Sequence, residues 1–142
     1  MIKKLLESSI VRFLAVGVVN TLVGAGVMAF CYSALGLGTG VSTAMNYLFG
    51  GAVSFFLNKR FTFRAEAKNG REYAAQIVKF ALTVAVCWFA AYSLAKPVIT
   101  RLLSSAGETV RDYGVMLGCM AIYTVLNYLG QRFFAFHKGG EK

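Results

Sequence analysis

Four long stretches of this 142-residue chain contain no charged side chain. They cover residues 13–35, 41–58, 80–95 and 113–131. A helix needs roughly 20 residues to cross a hydrocarbon core of about 30 Å, and most of these stretches approach that length. The third is shorter and recruits its neighbours, so we place the spans at about 13–35, 41–58, 77–96 and 113–132. The pattern predicts an all-α membrane protein with four transmembrane helices.

The composition favours the same class of protein. Hydrophobic residues make up 57% of the chain and charged residues only 15%, which is typical of an integral membrane protein. Lys3 and Lys4 precede the first span, as basic residues do in a signal peptide, but its uncharged run is longer than a signal peptide's apolar core. We therefore expect this helix to be retained. Cys31, Cys87 and Cys119 lie inside the spans and are expected to pack there, without a disulfide or a metal.

Basic residues outside the spans predict the orientation. Three precede the first span, six lie between the second and third, and three follow the fourth. The opposite side carries only Lys96, Arg101 and Arg111. Because cytoplasmic segments are enriched in lysine and arginine, both termini and the middle segment are predicted to be cytoplasmic. The net charge of +9 then reflects topology and contact with anionic lipids, and we expect no nucleic-acid partner.

Two segments end in similar motifs, SFFLNKRFTF at residues 54–63 and NYLGQRFFAF at residues 127–136. In each, an apolar run is followed by an amide side chain, a basic residue and aromatics that close on a phenylalanine. The first and third spans also open alike, with a basic residue followed by phenylalanine at 12–13 and 79–80. This similarity predicts an internal duplication.

The predicted duplication comprises repeat one, 12–63, and repeat two, 79–136, within a single transmembrane domain that covers residues 1–142. Each repeat is a hairpin of two helices. Two spans per repeat make the repeats parallel, related by an axis along the membrane normal.

Polar and small residues recur at four-residue spacing within the spans, which places them along one side of a helix. The clearest rows are Asn46, Gly50, Ser54, Asn58 and Tyr123, Asn127, Gln131; Asn20 accompanies Gly17, Thr21 and Gly24 in the first span. Such rows arise when helices pack closely. They also arise in a polar groove that hydrogen-bonds a sugar, and the sequence leaves both interpretations open.

Two connecting segments have an amphipathic pattern. Glu72 to Phe80 precedes the third span, and Val98 to Leu103 follows Pro97 after it. Each is predicted either as a helix along the membrane interface or as a plain loop.

Several segments together resemble the GtrA-like family of small four-span membrane proteins. They are RFLAVGVVNTLVG at 12–24, NYLFGGAVSFFLNKRFTF at 46–63, KF at 79–80 and the closing NYLGQRFFAF. The same fold resembles the membrane portion of some dolichol-phosphate mannose synthases. The resemblance implies translocation of a polyprenyl-phosphate-linked sugar, such as one on undecaprenyl phosphate, across the inner (cytoplasmic) membrane for surface polysaccharide biosynthesis. It also implies a membrane glycosyltransferase as a partner.

The resemblance assigns motif positions to eight residues of this chain: Arg12, Asn20, Asn46, Asn58, Lys59, Arg60, Lys79 and Asn127. The chain departs from the pattern at Gln131, where asparagine is commoner, and at Arg132–Phe133, where a second basic residue is missing. We therefore expect the first copy of the motif to be the stronger phosphate site.

The expected sites follow from these positions. Lipid phosphate is expected to bind basic residues near the cytoplasmic ends of the helices: Arg12, Lys59, Arg60, Lys79 and Arg132. The sugar is expected in a polar groove formed by Asn20, Asn46, Ser54, Asn58, Asn127 and Gln131. For each basic residue, a role in topology and anchoring at the interface is the alternative.

No catalytic residue, metal ligand or cofactor is expected. The single histidine, His137, lies in the tail, and no nucleophile has a base at a plausible spacing. There is no phosphate-binding loop for ATP and no acidic residue within a predicted span. We expect export that is assisted by the membrane potential without ATP or proton coupling.

Two other functions deserve comparison. A proton-coupled multidrug exporter needs a glutamate in the first span, where this chain has none. A non-transporting scaffold or anchor for a glycosyltransferase explains the glycines and the basic face without a groove, and it remains the main alternative. Four helices barely enclose a sugar, so we expect a homo-oligomer, in the simplest case a dimer, with contacts at Gly50–Gly51, Gly114 and Gly118.

Overall fold

The structure is a computed structural model that describes residues 8–137. Its α-helices are α1 (Ser9–Ser33), α2 (Thr39–Leu57), α3 (Gly70–Phe89), α4 (Lys96–Leu102) and α5 (Glu108–Gly130). Three of them continue directly into a π-helical segment: α2 into Asn58–Thr62, α3 into Ala90–Ala95 and α5 into Gln131–Ala135. Lys3, Lys4, Lys138 and Lys142, which contribute to the predicted orientation, lie outside the described residues.

Four helical stretches within the described residues are long and apolar enough to span a membrane. They are Ser9–Ser33, Thr39–Thr62, Gly70–Leu102 and Glu108–Ala135. Only 17–22% of the most apolar window of each stretch is buried, so most apolar side chains point outward, as lipid-facing residues do. The prediction of an all-helical chain with four spans is confirmed at this level.

The chain divides into two compact units between Glu66 and Ala67. In the first unit, α1 and α2 pack along each other, and the π-helical end of α2 contacts both. The tight turn between them contains Gly36, whose φ of 64° lies in the left-handed region that glycine tolerates. The Ser42 hydroxyl donates to the Leu37 carbonyl at 3.3 Å, which ties the start of α2 to this turn. The first unit is therefore a two-helix hairpin.

In the second unit, α5 packs along α3, α4 and the π-helical segment that joins them. Helix α3 begins at Gly70 because Asn69 caps it: Asn69 Oδ1 accepts from the Glu72 backbone N–H at 2.9 Å. Glu72 Oε2 in turn accepts from the Lys68 N–H at 2.7 Å. The amphipathic stretch that begins at Glu72 is thus part of α3, and the one after Pro97 is largely α4. The loop alternative is wrong for both segments.

Candidate functional site

Two asparagines and two glycines face each other across α1 and α2. Asn20 on α1 packs against Gly50 on α2, and Asn46 on α2 packs against Gly24 on α1. A Cβ atom at Gly50 would lie 2.8 Å from Asn20 Oδ1, and one at Gly24 would overlap with Asn46 Oδ1. Each amide therefore occupies space that only a glycine on the opposite helix leaves open.

The Asn20 and Asn46 side chains have unused hydrogen-bonding groups. No hydrogen bond joins either amide to another group among residues 8–137, and Asn20 Oδ1 is buried without a donor. Both residues are half-buried and lie well inside membrane-spanning helices. An amide without a hydrogen-bond partner is energetically unfavourable in hydrocarbon. The Asn20 and Asn46 side chains are therefore the groups of this unit that a polar ligand would hydrogen-bond first.

Asn58 behaves differently from these two asparagines. It is almost fully buried, and its Nδ2 donates to Ser54 Oγ at 3.2 Å. Its Oδ1 accepts from the Thr62 hydroxyl at 2.9 Å. Ser54, Asn58 and Thr62 thus form a hydrogen-bonded row along one side of α2 and its π-helical end. The structure gives Asn58 a role in local packing.

The basic residues at the end of the first unit differ in their surroundings. Lys59 Nζ donates to the Ala65 carbonyl at 3.0 Å, across a turn in which Arg64 adopts a left-handed conformation with φ 48°. Arg60 is exposed. Arg12 is half-buried, and its Nε atom is buried without an acceptor. Arg12 and Arg60 are therefore more available to an anion than Lys59 is.

The amides of the second unit form a shorter hydrogen-bonded row. Gln131 is fully buried, and its Nε2 donates to Asn127 Oδ1 at 3.1 Å. Gln131 Oε1 is buried and has no donor. The row therefore ends on an unsatisfied acceptor.

The basic residues of the second unit lie over aromatic rings. Lys79 Nζ is 5.6 Å from the centre of the Phe134 ring, and the Arg132 guanidinium is 5.5 Å from that of Phe133. Arg132 also donates to the Tyr128 hydroxyl at 2.8 Å. Cation–π contact stabilises both charges within their own unit. A bound anion would therefore add less stabilisation to either side chain.

Both units contain an equivalent contact between two phenylalanine rings. Phe13 at the start of α1 packs on Phe63, with ring centres 6.3 Å apart, and Phe80 in α3 packs on Phe136 at 6.2 Å. Each pair joins the residue after the opening basic position to the last residue of the closing motif. The basic residues, Asn58 and Gln131 therefore gather near one end of their own unit, whereas Asn20 and Asn46 lie deeper in the first unit.

The first unit also contains a lateral groove of about 470 Å³. Its lining is apolar and consists of Gly26, Val27, Phe30, Cys31, Leu35, Leu37, Met45 and Phe49. None of the residues predicted to contact a sugar lines it. The predicted polar residues lie instead between packed helices or along one helix.

The sequence prediction assigned four glycines to contacts between copies of the chain, but three of them pack within their own unit. Gly50 faces Asn20, Gly114 faces Leu103, and Gly118 faces Ile99. Small residues reveal that helices approach closely without revealing which helix is the neighbour. Of the predicted contact glycines, Gly51 has no described atom within 4 Å of an added Cβ.

Sequence reasoning also missed the role of Thr62. It was treated as part of the closing motif, yet it is 1% exposed and supplies the hydroxyl that satisfies Asn58. The four-residue spacing of Ser54, Asn58 and Thr62 was the signal that pointed to this row.

Long apolar helices, amides buried among them and basic residues at the end of each unit define a polytopic helical membrane protein. The chain belongs to the GtrA/DPMS transmembrane domain family, whose model matches residues 12–136. The family match covers both units.

Two named relatives are similar in sequence. A bactoprenol-linked glucose translocase of Shigella flexneri is 36% identical over 72 residues, which are 51% of this chain and 58% of that protein. A bactoprenol-linked glucose translocase of Salmonella phage P22 is 30% identical over 95 residues, which are 67% of this chain and 79% of that protein. The chain thus spans a little over half the length of the first relative. No solved structure matches the chain.

Proposed function

We propose that this protein translocates a polyprenyl-phosphate-linked sugar across the cytoplasmic membrane, for later use in glycosylation of a surface polysaccharide. The observation that carries the proposal is the pair of unpaired amides, Asn20 and Asn46, inside the apolar hairpin of the first unit. A sugar carries several hydroxyls, and each one left unsatisfied in hydrocarbon costs a few kcal/mol. Amides at this depth lower that cost. The names of the two relatives support the same substrate class.

The lipid phosphate in this proposal binds at the closing end of the first unit. Arg12 has a buried Nε without an acceptor, and Arg60 is exposed. A phosphodiester supplies the missing acceptors in charge-assisted hydrogen bonds. Lys59 positions the turn through Ala65 and adds positive charge. In the second unit Lys79 and Arg132 already contact aromatic rings, so they contribute more weakly.

We further infer the topology on which this function depends. Each unit contains a basic residue followed by phenylalanine, and each ends in a π-helical segment whose following phenylalanine packs on the first one. These parallels support two parallel two-helix repeats. The distribution of basic residues supports cytoplasmic termini and a location in the inner membrane. With this orientation, the phosphate site of the first unit meets newly made lipid-linked sugar on the cytoplasmic side.

The membrane potential is the proposed driving force. A phosphodiester is an anion, and an inside-negative potential favours its outward movement by about 2.3 kcal/mol per charge per 100 mV. A transport rate in liposomes that ignores an imposed potential contradicts this part of the proposal, while leaving facilitated translocation intact.

A non-transporting scaffold for a membrane glycosyltransferase is the second function to consider. It is favoured because several polar side chains form hydrogen bonds with each other within the chain, as in the Ser54–Asn58–Thr62 row. A scaffold needs close helix packing and no free amides. In both readings the chain works beside a membrane glycosyltransferase, and a homodimer would bring two copies of each unit together.

The test uses purified protein in liposomes with bactoprenol-linked glucose labelled on the sugar. Asn20→Leu and Asn46→Leu should each slow translocation by about tenfold, which corresponds to the loss of roughly 1.4 kcal/mol. Thr21→Val is the matched control, because the exposed Thr21 hydroxyl donates only to the Gly17 carbonyl of its own helix, at 2.9 Å. Wild-type transport rates in both leucine variants overturn the proposal. If the protein supports surface glycosylation in cells but does not translocate the labelled lipid in liposomes, it is a scaffold.

A further inference from the structure

The hydrogen-bonded rows of the two units differ at one position. In the first unit, Asn58 Oδ1 accepts from Thr62, four residues further along the chain. In the second unit Gln131 takes the place of Asn58 in the closing motif, and the residue four positions further along is Ala135. Alanine has no hydroxyl, so Gln131 Oε1 has no donor where Asn58 Oδ1 has one.

This unsatisfied acceptor is unusual within the described residues. Buried side-chain polar atoms without a partner occur there on Arg12, Asn20 and Gln131 only. Of these three residues, Gln131 alone is completely shielded, at 0% exposure, whereas Arg12 and Asn20 are half-buried. Buried polar groups are nearly always hydrogen-bonded, and an exception calls for a physical reason.

We propose that Gln131 Oε1 recognises the sugar, accepting a hydrogen bond from one of its hydroxyls, and that Ala135 keeps this acceptor free. The inference rests on the proposed translocation of a lipid-linked sugar and adds a position that distinguishes the sugar from the phosphate. An amide oxygen only accepts, and an ionised phosphodiester has no proton to donate, so the phosphate is excluded as its partner.

Binding requires a change at Gln131, because Oε1 is closed off in the conformation described. The side chain has rotatable bonds, and its bond to Asn127 is 3.1 Å long. A hydroxyl that reaches Oε1 satisfies a group that the closed state leaves unpaired. The ligand therefore favours the open arrangement by differential binding.

Ala135→Ser tests the proposal by supplying the donor that Thr62 supplies in the first unit. Ala135 is 3% exposed, and serine adds a single oxygen there. The variant should raise the melting temperature by about 3 °C, since a buried acceptor becomes satisfied. It should also bind bactoprenol-linked glucose about five- to tenfold more weakly, because its own hydroxyl competes with the sugar. Binding of bactoprenyl phosphate without a sugar should stay within twofold of wild type.

Ala135→Cys is the matched control, because a thiol has a similar size and is only a weak donor. It should leave both affinities near wild type. If Ala135→Ser folds poorly, Gln131→Met replaces it: this side chain has similar length and no acceptor oxygen, and it should weaken only the sugar-bearing lipid.

The outcomes separate the inference from the proposed function. Equal affinity of wild type and Ala135→Ser for the sugar-bearing lipid, or an equal loss for both lipids, overturns the role of Gln131 while translocation stands. A wild-type protein that does not bind bactoprenol-linked glucose overturns both.

Discussion

Gly50 lets the Asn20 side chain lie between α1 and α2, and replacing it with alanine tests this contact. The neighbouring Gly51 provides a matched control on the same helix, since no described atom lies within 4 Å of a Cβ added there. Both substitutions change the helix propensity alike. A difference between them therefore reports the packing of Asn20 alone.

The magnitude follows from the geometry. Glycine to alanine in a helix favours folding by about 0.8–1 kcal/mol at either position. At Gly50 the added Cβ lies 2.8 Å from Asn20 Oδ1, where ordinary contact begins at 3.4 Å, so the amide or the helix must move. Such overpacking typically costs about 1–3 kcal/mol. Gly51→Ala should thus be stabilising or neutral, and Gly50→Ala should be less stable than Gly51→Ala by about 1–3 kcal/mol.

The assay is equilibrium unfolding in mixed micelles, followed by far-UV circular dichroism, on a double-mutant cycle with Asn20→Ala. Removing the amide should remove the clash, so Gly50→Ala in the Asn20→Ala background should behave like Gly51→Ala. Additivity of the two substitutions within about 0.5 kcal/mol would refute the proposed contact.

Three more changes are predicted for the same unfolding assay. Thr62→Val leaves Asn58 Oδ1 without its donor and should cost about 1–3 kcal/mol, whereas Thr62→Ser should retain most of the stability. Arg64→Gly should stabilise the protein by about 1 kcal/mol, because φ at this position is 48°; an equal gain from Arg64→Ala would contradict that explanation. Gly118→Ala places a Cβ 2.9 Å from Ile99 Cδ1 and should destabilise the second unit. Adding Ile99→Val, which removes Cδ1, should restore most of the loss, and no rescue would refute the contact.

The number of spanning helices was predictable because it is a local property of the sequence. The hydrocarbon thickness sets how long an apolar helix must be, and each stretch shows its length directly. The pairing of Asn20 with Gly50 and of Asn46 with Gly24 was not predictable in the same way. All four residues appear in the predicted rows, but their registration depends on the turn between α1 and α2, where Gly36 takes a positive φ.

The surroundings of the basic residues also could not be predicted from the sequence. Lys59 was predicted as a phosphate ligand, and whether it is one stays a prediction. Its bond to Ala65 depends on the left-handed turn at Arg64, a position where glycine is the usual signal. The rings that approach Lys79 and Arg132 are visible as a run of phenylalanines, but their placement over the charges is a property of the folded π-helical end.

The π-helical ends explain how polar residues at four-residue spacing stay buried over several turns. An α-helix has 3.6 residues per turn, so each step of four residues rotates a row by about 40°. From Asn46 to Thr62 this drift would carry the row away from the α1–α2 contact. A π-helical turn holds more residues, so a step of four residues turns less than a full circle and reverses the drift.

Asn58 and Thr62 are both at or below 2% exposure. Gln131 and Ala135 are similarly shielded on the π-helical end of α5, at 0% and 3%. The wider turn therefore keeps both rows facing inward. The residue at the fourth position after the amide, threonine in one unit and alanine in the other, decides whether the protein itself satisfies the oxygen of that amide.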